Sequence, residues 1–144
     1  MNGQRQRVVF VCTGNACRSQ MAEAWTRHLL LDRFEAFSAG TAPQNVDPRA
    51  IAVMREEGID ISRQQSKSIA SLATSEFDLV VTVCDKAATS CPTIPGALQY
   101  IHHGFSDPPE MANSAHDEEQ ALQAYREVRD QIRDFVLTLG PDCS

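Results

Sequence analysis

Arg7-Val-Val-Phe-Val-Cys12-Thr-Gly-Asn-Ala-Cys-Arg18-Ser19 is the stretch from which the fold can be read. Arg7 to Cys12 is short, continuous, apolar and rich in β-branched and aromatic residues, the pattern of a strand buried in a parallel sheet. A turn has to follow at Thr13-Gly14-Asn15. From Ser19 onward Met21, Ala22, Trp25, His28 and Leu29 recur at three- and four-residue spacing, which turns one face of a helix inward.

The same alternation continues along the chain. Ala36 to Ala39 predicts a second strand, stopped by Gly40. Asp47-Pro48 supplies an N-cap and a proline at N1 for a helix that Gly58 ends. Ser66 to Ser75 suggests a short helix with Ile69, Leu72 and Ala73 inward. Phe77-Asp-Leu-Val-Val-Thr-Val-Cys84 and Leu98-Gln-Tyr-Ile-His102 read as two further strands. The last helix opens on the capping-box pattern Asp117-Glu-Glu-Gln120, carries its stripe through Leu122, Tyr125, Val128, Ile132, Phe135 and Val136, and stops at Gly140-Pro141. Strands alternating with helices imply an α/β domain: a doubly wound, four-stranded parallel sheet with helices on both faces. Ligands bind such sheets outside the carboxyl ends of the strands, at the switch point. Cys12, Cys84 and the turn Phe105-Ser-Asp107 each follow the carboxyl end of a predicted strand.

Composition narrows the function. With 144 residues, 42% of them hydrophobic and 22% charged, the chain suits one domain spanning 1–144. No apolar run approaches the roughly 20 residues of a membrane span, and no signal peptide is evident, so a cytoplasmic protein is expected. A net charge of −6 with scattered arginines argues against nucleic acid as a partner. Five cysteines in such a chain argue for catalytic or redox thiols rather than a disulfide framework. The histidines at 28, 102, 103 and 116 lack zinc-ligand spacing with the cysteines, so no metal is expected.

In the quoted stretch, a cysteine and an arginine six positions apart lie between a strand and a helix. Backbone N–H groups of Thr13, Gly14, Asn15, Ala16, Cys17, Arg18 and Ser19, with the first helical turn, form a concave nest of donors that suits a tetrahedral oxyanion. Arg18 adds a planar pair of donors. The same setting favours a Cys12 thiolate, as helix N-termini and nearby guanidinium groups lower cysteine pKa values to roughly 3.5–7.5. Ser19 is placed to donate to that sulfur, Gly14 permits a positive φ, and Cys17 suits a small residue packed beneath the nest.

Residues 11 to 23, Val-Cys-Thr-Gly-Asn-Ala-Cys-Arg-Ser-Gln-Met-Ala-Glu, resemble the low-molecular-weight tyrosine phosphatase superfamily, and more closely its thioredoxin-coupled arsenate reductase branch. The likeness runs on through Phe37-Ser-Ala-Gly40, Ile59-Asp-Ile-Ser62, Asp78-Leu-Val-Val-Thr82 and His103-Gly-Phe-Ser-Asp-Pro108. It implies a low-molecular-weight phosphatase-like fold, with Cys12 as nucleophile, Arg18 as anion clamp and Asp107 as general acid. The Pro108-Pro109 pair is consistent with a carboxyl held on a rigid, non-helical turn.

Phosphatase and reductase share all of this. The resemblance separates them through Cys84-Asp-Lys-Ala-Ala-Thr-Ser-Cys91-Pro, which matches the second and third cysteines of the reductase branch. Thr41 to Arg49 has no aromatic residue, and Asp107 is followed by prolines rather than an aromatic, so walls for a phenyl ring are not evident. The implied reaction converts arsenate to arsenite through Cys12, Cys84 and Cys91 by thiol–disulfide exchange, with electrons from thioredoxin and no bound cofactor. Asp85 as N-cap and Lys86-Ala-Ala suggest a helical turn between the relay cysteines. A full helix would hold their Cα atoms about 10 Å apart, beyond the roughly 7 Å a disulfide spans, so oxidation would have to unwind it. The expected protein is a monomer with weak phosphatase activity. The competing readings are a tyrosine phosphatase and a non-enzymatic carrier of a phosphocysteine. Some reductases of this branch hold a potassium ion beside the loop; Asn15, Glu23 and Ser38 match three of its ligands, and Lys67 stands at the fourth, where its ammonium would replace the ion. Cys143 has no assigned role.

Overall fold

The computed structural model describes residues 5–12, 17–40, 45–65, 67, 76–83 and 97–139. The elements follow in the order β1 (Gln6–Cys12), α1 (Arg18–Leu29), β2 (Phe34–Gly40), α2 (Pro48–Glu56), β3 (Leu79–Thr82), β4 (Gln99–His102), α3 (Pro108–Ala112) and α4 (Glu118–Leu137). All strand pairs are parallel and the sheet order is β2-β1-β3-β4, so the winding reverses between β1 and β3. The β1–β3 register is also held by Arg7 of β1 and Asp78, the residue before β3. The Arg7 N–H donates to Asp78 Oδ2 at 2.7 Å, and the Asp78 N–H returns to the Arg7 carbonyl at 2.9 Å.

Alternate residues of β1 feed two cores. Val8, Phe10 and Cys12 join Met21, Trp25, Val53, Met54, Tyr125, Val128 and Ile132 in the larger one, beneath α1, α2 and α4. Val9 and Val11 pack with Ala39, Phe77 and Val80 on the opposite face, where both valines are fully buried. Of the helix expected over 66–75, only Lys67 is among the described residues. The Trp25 indole clamps α1 to α4 by donating to the Arg129 carbonyl at 3.1 Å.

Helix ends obey the local rules. Asp47 caps α2 by accepting from the Arg49 N–H at 2.9 Å, with Pro48 at its first position. Gly58, at φ 79°, closes the same helix in a Schellman motif, its N–H on the Arg55 carbonyl and that of Ile59 on Met54. Asp117 accepts from the Gln120 N–H at 2.8 Å, while the Gln120 side chain reaches back one residue further than a standard capping box, to the His116 N–H. No helix among the described residues is long and apolar enough to cross a membrane.

Two expectations are corrected. His28 is exposed, because the last turn of α1 lies at the rim of the core, where its ring and that of Trp25 meet edge-on. Pro108 and Pro109 do not hold a non-helical turn. They open α3, since the first helical positions need no N–H donor and the fixed φ of proline suits them. Asp107 is therefore the N-cap residue of a short helix, although its side chain makes no capping bond.

Candidate active site

Cys12 ends β1 at the switch point, with Gly40 of β2 beside it in register and the Val83 N–H donating to the Val11 carbonyl at 3.0 Å on the other side. Its side chain is buried. A hollow of about 560 Å³ near Gln6, Phe34, Leu79 and Gln99 lies at the amino ends of the strands, the wrong end for a ligand in an open α/β sheet.

Arg18 is the first residue of α1, yet only 8% of it is exposed. A buried guanidinium at the positive end of a helix dipole is electrostatically uphill, and no acidic residue in the first turn of α1 offsets it. Its compensation comes from the segment after β4. Arg18 NH1 donates to the Phe105 carbonyl at 2.7 Å, and NH2 lies 3.8 Å from Asp107 Oδ1. Phe105 is itself fastened to β3, its N–H on the Val83 carbonyl at 3.3 Å, while its ring stacks on His103 at 4.6 Å and meets Phe135 edge-on. One backbone position thus joins Arg18 to the residue that precedes Cys84 in the chain.

Asp107 is half-buried, open enough to meet a ligand and close enough to Arg18 for charge pairing. Ser19 is fully buried. Cys17, at the N-cap position of α1, is also buried, and its thiol is pushed up well above its ordinary range, first by burial and then by the charge of Asp47, against the opposing pull of Arg18. This agrees with a packed residue rather than a second nucleophile. Thr13, Gly14, Asn15 and Ala16 of the expected nest, Cys84 and Cys91 of the expected relay, and Cys143 lie outside the described residues.

The partners expected around a potassium ion meet in part. The Ser38 hydroxyl donates to the buried Glu23 Oε1 at 2.5 Å, and the exposed Arg27 pairs with Glu23 Oε2 at 2.7 Å. Lys67 reaches the end of β2 through its backbone, accepting from the Gly40 N–H at 2.9 Å, while its ammonium donates to the Gln65 carbonyl at 3.0 Å. Asn15 lies outside the described residues.

Sequence reasoning missed Phe105 as the anchor of the acid segment and treated Asp47 only as a helix cap. Asp47 also accepts the Tyr125 hydroxyl on Oδ2 at 2.5 Å. The available signal was Tyr125 itself, a tyrosine in an apolar stripe whose hydroxyl needs a buried partner.

A buried cysteine ending β1, a buried arginine opening α1 and a carboxyl beyond β4 suit an enzyme that handles tetrahedral oxyanions. The chain belongs to the low molecular weight phosphotyrosine protein phosphatase family, whose model matches residues 7–139. Within that family it is similar to the arsenate reductase of Halalkalibacterium halodurans, with 43% identity covering 92% of this chain and 94% of the relative. It is also similar to the arsenate reductase of Bacillus subtilis, with 43% identity covering 87% of this chain and 88% of the relative. A solved structure described as an arsenate reductase in the phosphate binding state aligns with a TM-score of 0.77 and 32% identity, over 93% of this chain and 95% of that one.

Proposed function

We propose that this arsenate reductase converts arsenate to arsenite with Cys12 as nucleophile and a relay through Cys84 and Cys91. The observation that carries the reading is Arg18, buried at the start of α1 and pairing with Asp107 across the mouth of the sheet. A cation held there is relieved when a tetrahedral oxyanion enters.

The Cys12 thiolate attacks arsenic, and the departing oxygen takes its proton from Asp107 and leaves as water. The Cys84 thiolate then attacks the Cys12 sulfur. The S–As electron pair passes to arsenic, which falls from As(V) to As(III) and leaves as arsenite. Cys91 attacks Cys84 in turn, freeing Cys12 and leaving a Cys84–Cys91 disulfide for a thioredoxin dithiol to reduce. In this scheme the backbone amides of Thr13, Gly14, Asn15, Ala16, Cys17 and Ser19 line the oxyanion nest with Arg18. The enzyme works as a cytoplasmic monomer and needs no bound cofactor.

The family description favours one second reading, a tyrosine phosphatase. Arsenite production with thioredoxin, thioredoxin reductase and NADPH, run beside hydrolysis of an aryl phosphate, separates the two. Thioredoxin-dependent arsenite formation with only slow ester hydrolysis is expected; fast hydrolysis without arsenite would overturn the assignment.

A further inference from the structure

Between the end of β4 at His102 and the start of α3 at Pro108, residues 103–107 form neither helix nor strand, and they carry Asp107. Two backbone bonds tie this segment to β3. The His103 N–H donates to the Thr82 carbonyl at 2.9 Å, and the Phe105 N–H to the Val83 carbonyl at 3.3 Å, beyond the roughly 2.7–3.2 Å of a normal N–H···O bond. Backbone bonding this sparse leaves the direction of the chain past Phe105 to the side chains.

Three rings supply what the backbone lacks. His103, although exposed, stacks on Phe105 at 4.6 Å and tilts against Phe135 at 4.5 Å, while Phe105 and Phe135 meet edge-on at 5.9 Å. Each pair lies within the roughly 4.5–7 Å over which aromatic rings attract. The buried Phe105 ring is therefore held from two sides, by its own segment and by α4. The same helix holds the other half of the site. The Trp25 indole of α1 donates to the Arg129 carbonyl at 3.1 Å, and Phe135 follows Arg129 by six residues, about 9 Å along α4. Arg18 and Asp107 come from distant parts of the chain, yet α1 and the acid segment rest on one support.

We propose that Phe135 and His103 are positioning residues which, by gripping the Phe105 ring, aim Asp107 at the departing oxygen of an arsenate bound at Arg18. The inference rests on the reductase reading for its substrate. A proton donor works only within hydrogen-bond reach of the atom it serves, so a carboxyl on a loosened segment loses rate while the groups that bind the anion stay in place. A double-mutant cycle between the rings and the acid tests this, with rates measured well below every Tm. Phe135→Leu and His103→Ala should each lower kcat/KM for arsenate about tenfold and leave the inhibition constant of phosphate within about threefold. In an Asp107→Asn background the same changes should cost about twofold or less, because no acid is left to aim. His103→Phe, which keeps a flat ring, should restore the rate. Val136→Ala, at a buried position of α4 next to Phe135, should lower Tm without that kinetic loss. Full losses repeated in the Asp107→Asn background overturn the proposal, as does a phosphate affinity that falls as far as the rate or an equal kinetic loss in Val136→Ala. If the unmodified protein yields no arsenite but hydrolyses phenyl phosphate, the reductase reading fails and the cycle is read on that ester, whose leaving oxygen also needs a proton. Loss that depends on Asp107 then upholds the positioning role, and loss independent of it rejects the role. A protein that turns over neither substrate overturns both.

Discussion

The Arg18 guanidinium and the Phe105 carbonyl meet at 2.7 Å although 87 positions separate them in the chain. This contact ties the start of α1 to the segment that carries Asp107. Asp107 lies two residues beyond Phe105, so in the proposed mechanism the side chain that gathers the oxyanion also sets the position of the group that protonates it.

Arg18→Lys is expected to lower kcat/KM for arsenate by about 10²–10³, the cost of removing one well-placed donor. A single ammonium cannot reach the Phe105 carbonyl, approach Asp107 and bind the oxyanion with a planar pair at once. Steady-state kinetics with phosphate as competitor check this, because inhibition by phosphate weakens alongside activity. A variant that loses activity but keeps its phosphate affinity would show that Arg18 positions the acid and does not clamp the anion.

Asp107→Asn behaves differently. It removes the proton donor and should cut kcat by about 10²–10⁴. Oxyanion affinity should hold or rise, since the carboxylate that shares Arg18 at 3.8 Å loses its charge. Single-turnover arsenite release and phosphate titration of the same variant give the two readouts.

Local chemistry was the legible part of this chain. The strand before Cys12, the caps at Asp47 and Asp117 and the stop at Gly58 depend on residues within a few positions of one another, and they stand where the sequence puts them. The links between Arg18 and Phe105 and between Asp47 and Tyr125 span most of the chain, and no periodicity encodes them. Asp107-Pro108-Pro109 misled because Asp-Pro favours turns, while a proline pair is equally suited to begin a helix. His28 misled for another reason: spacing identifies a helix face but not where the core beneath it ends. The relay cysteines remain legible only as a spacing.

Tyr125→Phe should cost about 1.5–3 kcal/mol in urea unfolding, the range for a hydrogen bond to a charged group. The hydroxyl leaves a carboxylate that also caps α2, so the loss is felt at two helices. A cost well under 1 kcal/mol would mean that water replaces the hydroxyl freely.

The acid limb of stability should report on Glu56. Its carboxylate accepts from Arg126 at 2.9 Å and from Arg129 at 2.9 Å, and these partners, Arg126 foremost, hold it below its ordinary value of 4.5. A carboxyl depressed in the folded state contributes stability that is complete above its unfolded value and is lost as pH falls through the folded one. Tm should therefore begin to decline near pH 4.5 and continue downward, and Glu56→Gln should lower the neutral-pH Tm while flattening that decline. Parallel melts between pH 7 and pH 3 decide whether the slope belongs to this site.

The order of the relay sets the last expectation. If Cys84 attacks the Cys12 adduct and Cys91 then attacks Cys84, loss of Cys91 stops the cycle after arsenic has been reduced. Cys91→Ser should release about one arsenite per enzyme and stall as a Cys12–Cys84 disulfide, because the final exchange has no attacking thiol. Cys84→Ser should instead stop before rapid arsenite release, with the arsenic still held on Cys12. Non-reducing mass spectrometry after a single turnover distinguishes the two trapped states. Sustained thioredoxin-driven turnover by Cys91→Ser would take Cys91 out of the relay and point to a small thiol that resolves the Cys12–Cys84 bond directly.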